Sequence, residues 1–333
     1  MINYFYLCVI KPQDWTTTQL HLFEHAYYRK LIDAIKPEFA KKGIVIEAHT
    51  FTTSVFLEVY YTDTQFSDTL RKLITDIQFT SEDLAMIAHE KNILFHEISE
   101  LDLSEEDIIL YEGLRYISQE SIYSLYERDE TIDMSTIVER FNTLLEMAVI
   151  LHCEGGVIEK FQFKPHGVAE KSIVMNLGVH GKHVIGGLRL PMISLEAIVE
   201  AMFLSFVYAK TDEAFLHKTM IEPFNLYWGY TLDLPLYHDY VILFFIETTK
   251  ESRQQFEKKG LADGTVQVDF EKQKSAFRTF LELQDPQLRE FCRFFAQSQI
   301  PDARCDKNSI THAIELINED RIARILSEGG ALC

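Results

Sequence analysis

The order of sequence patterns restarts near the middle of the chain, and this constrains the fold more than any other feature. In residues 1–155 a strand-like stretch, FYLCVI, precedes a long helical pattern, and a strand pair and further helical patterns follow. The segment 156–174 carries glycine, proline and lysine and is predicted to be a linker. Residues 175–333 then run through strand and helix patterns in a similar order. We therefore predict an α+β fold of two structurally similar domains, each a β-sheet packed with helices.

Length, charge and cysteine spacing narrow the classes of function. The 333 residues suit two domains better than one. A formal net charge of −19 disfavours nucleic acid as a partner, and no glycine-rich phosphate loop is present. No apolar run reaches the roughly 18 residues of a membrane span, so no membrane partner is expected. The five cysteines lack C-x-x-C spacing, and no basic leader opens the sequence, so we expect reduced thiols and a cytoplasmic location.

The stretch QLHLFEHAYY places two histidines and a glutamate close together on a predicted helix. That helix is expected from about Thr17 to Ile35, with a stop at Pro37 and a continuation to Gly43. Positions i and i+4 share a helix face, so His21 and His25 can bind one ion, with Glu24 beside them as a proton acceptor. This is the inverted zinc motif H-x-x-E-H. Two surface histidines on an amphipathic helix are the alternative interpretation.

A second helical pattern, residues 81–101, offers the third ligand that a catalytic zinc site needs. At about 100° per residue, its apolar side chains form one arc: Leu84, Ile87, Leu94, Ile98 and Leu101. Glu90 and Glu97 fall inside this arc. Carboxylates on a stripe that faces the core are costly unless they are paired or bound to a cation. The pattern therefore selects Glu97 or Glu90 as the inward ligand. Ser81 is predicted to be the N-cap of this helix, and Ser67 the N-cap of the helix before it.

H-x-x-E-H, followed about seventy residues later by E-x6-E, resembles the pitrilysin/insulinase family of zinc metallopeptidases, which includes the mitochondrial processing peptidase. The resemblance implies that His21, His25 and Glu97 bind Zn²⁺. It also implies that Glu24 is the general base of an endopeptidase. Glu90 is then a further catalytic residue or a support for the metal ligands, and these alternatives stay open.

The stretch IEAHTFTTSVFLEVYY resembles a strand of the same family that is written N-A-x-T followed by an aromatic residue. The resemblance implies that an extended peptide binds along Glu47, Ala48, His49 and Thr50 through backbone hydrogen bonds, with loose side-chain specificity. Unfolded peptides, leader or targeting peptides included, are the expected substrates. Glu47 stands where the family has asparagine.

The second half departs from the family at two positions. An arginine and a tyrosine of the family bind the substrate carbonyl, and the nearest match here, MIEPFNLYWGY, places Ile221 and Trp228 at those positions. The resemblance thus implies the metal-bearing subunit of a heterodimer with a homologous partner, although Lys218 or Tyr227 could substitute locally. A non-catalytic scaffold subunit and a chance motif in an unrelated α+β protein are the alternative interpretations.

Overall fold

The structure is a computed structural model that describes residues 2–100, 104, 132–162, 174–180, 183–210, 229–247, 269–285, 288–301 and 303–330. The chain divides into two compact units. The first comprises Met1–Asp102, Tyr123–His166 and Pro301–Asp306, and the second comprises Leu103–Ile122, Gly167–Ile300 and Lys307–Cys333. No helix among the described residues is both long enough and apolar enough to cross a bilayer.

The regular elements alternate between short runs of strands and runs of helices. The strands are β1 Asn3–Ile10, β2 Val45–Thr50, β3 Ser54–Tyr61, β4 Val149–Glu154, β5 Val157–Gln162, β6 Val174–His180, β7 His183–Pro191, β8 Gly229–Leu236, β9 Asp239–Glu247 and β10 Arg304–Asp306. The helices are α1 Thr17–Lys42, α2 Ser67–Asp76, α3 Leu84–Glu100, α4 Ile137–Glu146, α5 Leu195–Ala209, α6 Phe270–Gln284, α7 Arg289–Gln297, α8 Lys307–Leu316 and α9 Glu319–Gly330.

The first unit is a six-stranded antiparallel sheet covered by helices. Its strand order is β10-β5-β4-β1-β3-β2, with β1 paired to both β3 and β4. Helix α1 packs on β2, β3 and α3, and side chains of these elements form one apolar core. Phe23 lies at the centre of that core and contacts the rings of Phe79 and Phe141. At one end of the sheet, β2 is the outermost of the described strands.

The second unit repeats the central topology of the first. Its sheet has the order β6-β7-β9-β8, and α5 packs on β7 and β9. In the first unit, the succession β1-α1-β2-β3 gives the spatial order β1-β3-β2. In the second, the described elements β7, α5, β8 and β9 give the spatial order β7-β9-β8. The prediction of two similar α+β domains is therefore confirmed.

Helix α1 is longer and more continuous than the sequence pattern predicted. Its N-terminus is fixed by a capping box, in which Thr16 Oγ1 accepts a hydrogen bond from the Gln19 amide and Gln19 Oε1 accepts one from the Thr16 amide. The predicted stop at Pro37 is wrong, since the helix runs on to Lys42 and ends at Gly43, which adopts a φ of 61°. Fully buried residues on both sides of the proline, Ile35 and Ile44, anchor the chain and offset its unfavourable effect.

Three further predictions differ from the structure or fall outside it. Ser67 and Ser81 are not the N-caps: short 3₁₀ helices precede α2 and α3, Phe66 precedes α2 without a side-chain cap, and a capping box of Thr80 with Asp83 opens the turn before α3. The predicted linker 156–174 begins with strand β5, which is paired on both sides by β4 and β10. The helix predicted within 105–118 lies outside the described residues.

His152 on β4 sits in the aromatic part of the first sheet. Its ring stacks on Phe5 with centroids 4.4 Å apart, and its Nε2 lies 2.6 Å from the Tyr61 hydroxyl. Burial lowers the pKa of His152, against the opposing effect of Glu154. A histidine in the unfolded chain has a pKa of about 6.5. Below that pH the unfolded state takes up this proton more readily than the folded state, so acidification should destabilise the fold.

We expect His152→Gln to remove part of this acid sensitivity. Glutamine keeps a hydrogen-bond partner for the Tyr61 hydroxyl and cannot be protonated. The free energy of unfolding of both proteins is measured by urea unfolding at about pH 7.5 and about pH 5. Between these pH values it should fall less for the variant, because the loss of stability caused by His152 begins below the pKa of about 6.5 in the unfolded chain. An equal fall in the two proteins would contradict this prediction.

Candidate metal centre

Helix α1 presents His21, Glu24 and His25 on one side, while its buried apolar residues anchor it in the core. Leu20, Leu22 and Phe23, which flank these polar residues in sequence, are fully buried. The rings of His21 and His25 meet edge to face with centroids 4.8 Å apart, and Glu24 Oε2 lies 3.9 Å from His21 Nε2. One donor atom from each of the three residues lies within 4.8 Å of the others. This spacing is compatible with binding of one metal ion by all three residues.

Helix α3 brings two carboxylates to the same place. Glu90 Oε2 lies 3.6 Å from His25 Nδ1, and Glu97 Oε2 lies 3.4 Å from His25 Nε2. His25 therefore lies between the two carboxylates that the seven-residue spacing placed on one stripe. A hydrogen bond of 2.5 Å from Lys30 Nζ of α1 to Asp83, in the turn that leads into α3, helps to hold the two helices together.

The two carboxylates are not equally buried. The Glu90 side chain is 11% exposed and the Glu97 side chain is 50% exposed, so the predicted inward stripe is correct for Glu90, Ile87, Leu94 and Ile98 but not for Glu97. Leu84, at the start of the stripe, is also exposed, and Leu101 lies outside the described residues. Glu97 lies between the buried residues Leu94 and Ile98 along α3, and its half-exposed carboxylate contacts His25.

The donor set fits a zinc ion. Two imidazoles and a carboxylate are typical ligands of catalytic zinc, and Glu24, Glu90 and Glu97 each supply a carboxylate within reach of one of the histidines. In addition, His21 Nδ1 is buried and has no hydrogen-bond partner within the described part of the chain. A buried ring nitrogen without a partner is costly in a purely structural histidine. The unpartnered ring nitrogen of His21 therefore favours metal binding by this cluster.

The protonation states also suit metal binding. Burial, reinforced by the nearby His25, lowers the pKa of His21 to about 4, so its imidazole is neutral near pH 7. Only the neutral ring has a lone pair for a metal. Burial raises the pKa of Glu24, against a 2.5 Å hydrogen bond from the Thr50 hydroxyl and the attraction of His25 and His49. Glu24 is thereby a stronger proton acceptor than an exposed carboxylate.

An open cleft of about 530 Å³ lies beside these residues. Its walls come from three elements, namely α1, the outermost strand β2 and α3. Its lining comprises Glu24, His25, Tyr28, Arg29, Ile32, Ile46, Glu47, Ala48, His49, Glu90 and Ile93. The predicted substrate residues Glu47, Ala48 and His49 thus border the same cleft as the motif, and Thr50 contacts Glu24 directly.

Sequence reasoning missed part of this cleft. Tyr28 and Ile32 lie three and seven positions after His25, on the same helix face, so the helical period could have found them. The hydrogen bond of Thr50 to Glu24 joins residues 26 positions apart and has no local sequence signal. Ile221, Trp228, Lys218 and Tyr227, on which the expectation of a partner subunit depends, lie outside the described residues.

Comparisons with known proteins bear on the fold. No protein-family model matches the chain, and no curated protein matches it by sequence. Two solved structures match over 98% of this chain and 90% of theirs: a protease from Helicobacter pylori (13% identity, TM-score 0.62) and a protein from Alicyclobacillus acidocaldarius named as M16-like peptidase (12% identity, TM-score 0.64). The chain has the M16, or pitrilysin-type, peptidase fold.

The same comparisons do not decide activity. A peptidase M16 inactive domain from Pseudomonas fluorescens also matches, over 98% of this chain and 89% of its own, with 9% identity and a TM-score of 0.58. Identities this low show the fold alone, and one fold can carry active and inactive proteins. Function must therefore be argued from the side chains beside the cleft.

Proposed function

We propose that the protein is a zinc-dependent endopeptidase that hydrolyses extended peptides. The observation that carries this proposal is the convergence of His21, Glu24 and His25 with Glu90 and Glu97 of α3, next to an outermost strand and an open cleft. A scaffold has no need for a buried carboxylate held beside two histidines. The M16 fold also supports this proposal, because it is an architecture found in peptidases.

His21, His25 and Glu97 are the proposed zinc ligands. Bound zinc would supply Lewis-acid polarisation of the scissile carbonyl and would lower the pKa of a water molecule. Glu97, although half exposed, is the carboxylate nearest to a ring nitrogen of His25. Glu90, which is buried on the other side of the same ring, would orient His25 through its second nitrogen, as carboxylates behind metal-binding histidines do.

Glu24 is the proposed general base. It would take a proton from the attacking water and then deliver it to the nitrogen of the leaving amine as the peptide C–N bond breaks. Its side chain is 12% exposed, and Thr50 fixes Oε2 with a 2.5 Å hydrogen bond, so the carboxylate is held in one orientation. The raised pKa of Glu24 favours proton uptake during the reaction.

Strand β2 is the proposed binding site for the peptide backbone. It pairs with β3 on one side and is the last described strand of its sheet. A strand in that position can accept an extended peptide as an additional strand, held mainly by main-chain hydrogen bonds. The peptide would then lie between β2 and the side chains of α1 that border the cleft.

The proposal is tested by cleavage of a fluorescence-quenched, unstructured peptide library by the purified chain. We expect turnover that stops when a zinc chelator is added and returns when zinc is restored, because the ligands are otherwise intact. Turnover that persists after complete removal of metal would contradict a zinc mechanism. Absence of turnover by zinc-loaded protein, alone and together with candidate partner chains, would contradict the peptidase proposal.

A non-catalytic scaffold subunit is the second candidate function. The match to an M16 inactive domain favours it, as does the expected lack of the arginine and tyrosine at Ile221 and Trp228. The same two positions support dependence on a homologous partner that supplies the missing pair. A scaffold and a partner-dependent enzyme differ in one result: only the enzyme gains zinc-dependent turnover when the partner is added.

A further inference from the structure

Helix α1 and strand β2 run antiparallel to each other along the cleft. Helix α1 ends at Lys42, the chain turns at Gly43, and β2 begins at Val45 and packs back on the helix. The last residue of β2 reaches the first part of α1, where the Thr50 hydroxyl donates its hydrogen bond to Glu24. Away from this contact, residue numbers therefore rise along α1 and fall along β2.

The side chains of the two elements meet at matching intervals along the cleft. Four residues of a helix advance about 6 Å, and two residues of a strand advance about 6–7 Å. One such step from the hydrogen bond at the motif, Tyr28 of α1 is level with Ala48 of β2. One step further, Ile32 is level with Ile46. All four residues line the cleft, so its polar end at the motif is followed by an apolar part.

Helix α3 adds Ile93 to this apolar part. Ile93 lines the cleft and lies three positions after Glu90, on the same side of the helix. It is 36% exposed, which is unusual for a large apolar residue of this unit. Tyr28, Ile32 and Ala48 are partly buried against the apolar core, and Ile46 belongs to that core. Apolar surface beside an open cleft is stabilised when another apolar group covers it.

Ala48 leaves room for such a group. Alternate residues of a strand share a face, so Ala48 lies on the same face of β2 as Ile46 and Thr50. A peptide that adds to β2 would place the side chain of the residue opposite Ala48 on this face, with Cβ atoms about 4.5–5.5 Å apart. That side chain would enter the cleft at the level of Tyr28. A larger residue at position 48 would fill the same space.

We propose that the apolar part of the cleft is a subsite for a large aliphatic or aromatic side chain of the substrate. The residues of this apolar subsite are Tyr28, Ile32, Ile46, Ala48 and Ile93. The inference rests on the proposed peptidase function. The selected residue lies opposite Ala48, two positions along the peptide from the residue opposite Thr50. Arg29, a cation in the cleft lining, lies 3.7 Å from Asp33, which offsets its charge near the apolar subsite.

The experiment uses quenched peptides of one length, in which a single Leu, Phe or Ala is moved through each position around the cleavage site. For wild type we expect kcat/KM to be about tenfold higher for Leu or Phe than for Ala at one position, the low end of the range for a hydrophobic pocket because the cleft is open. Ala48→Ile fills the apolar subsite and should remove this preference. Ile93→Asn makes one wall polar and should reduce it to about threefold.

Leu84→Asn is the matched control for Ile93→Asn. Leu84 and Ile93 lie on the same helix with the same exposure of 36%, and Leu84 is not among the described residues that line the cleft. This control should keep the wild-type preference. An unchanged preference in Ala48→Ile, or an equal loss in Leu84→Asn and Ile93→Asn, would overturn the inference. An equal preference for Leu at every position would also overturn it, because no one position would then be selected.

Peptide binding keeps the failure of this inference distinct from the failure of the proposed function. The same peptides, labelled with a fluorophore, are titrated with zinc-loaded Glu24→Gln protein and with its double variant that also carries Ala48→Ile. A preference for Leu at one position in binding, lost in the double variant and with no cleavage by wild type, would support the apolar subsite and contradict the peptidase. Cleavage without such a preference in binding or turnover would overturn the apolar subsite alone.

Discussion

Glu24→Gln is expected to lower kcat/KM by roughly 10²–10⁴-fold, the range typical for the loss of a general base. Glutamine has nearly the same shape as glutamate, and its amide oxygen can still accept the hydrogen bond of the Thr50 hydroxyl. It cannot take up a proton from water. The proposed ligands are unchanged, so the zinc content should stay at the wild-type level.

The test of this prediction compares turnover and zinc content on the same preparations. Glu139→Gln, an exposed change of the same chemistry on α4, serves as the matched control and should behave as wild type in both measurements. Turnover within a fewfold of wild type in Glu24→Gln would show that Glu24 is not the base. Loss of zinc in this variant would instead make Glu24 a ligand, as its place in the cluster with His21 and His25 would allow.

His25→Ala is expected to weaken zinc binding by more than about 100-fold, beyond the loss that follows removal of a group that only supports a ligand. His25 lies within 4 Å of both Glu90 and Glu97, so its removal also takes away the imidazole of α1 that pairs with both carboxylates of α3. Turnover should fall together with metal content. Metal analysis of equilibrated protein after gel filtration measures the effect.

The control for His25→Ala is His96→Ala. His96 lies on the exposed face of α3, one position before Glu97 in sequence, and is not part of the cluster. Its replacement should leave zinc content unchanged. Equal zinc content in wild type and His25→Ala, under conditions in which wild type is loaded, would remove the proposed site from α1.

The local parts of the site could be predicted from the sequence. The spacing of His21 and His25 fixes a shared helix face regardless of the rest of the fold, and the capping signals at Thr16 and Gln19 set the start of that helix. The seven-residue spacing of Glu90 and Glu97 likewise places both on one side of α3. Carboxylates on an apolar stripe need a partner, so the sequence predicted that Glu90 and Glu97 bind another group. The packing of α1 against α3 brings both carboxylates to His25.

The non-local parts had no comparable signal. Strand β10 is three residues long and joins β5 from more than 140 positions away, and no pattern in three residues specifies that partner. Glu97 is half exposed although Leu94 and Ile98 beside it on α3 are buried, so its exposure depends on what packs over its side of the helix, which the helical period does not encode. The cross-strand pair of Glu47 with Glu58 depends on the register of β2 and β3 and becomes visible only once those strands are paired.

Zinc content per chain, measured together with peptide turnover on the same wild-type preparation, tests the central claim most directly. We expect about one zinc per chain, and turnover that rises in proportion to zinc as stripped protein is reloaded, with the partner subunit present if the chain alone is inactive. Protein that takes up no zinc after reconstitution, or that cleaves equally well without it, would contradict the proposal that His21, Glu24, His25 and Glu97 form a zinc peptidase site.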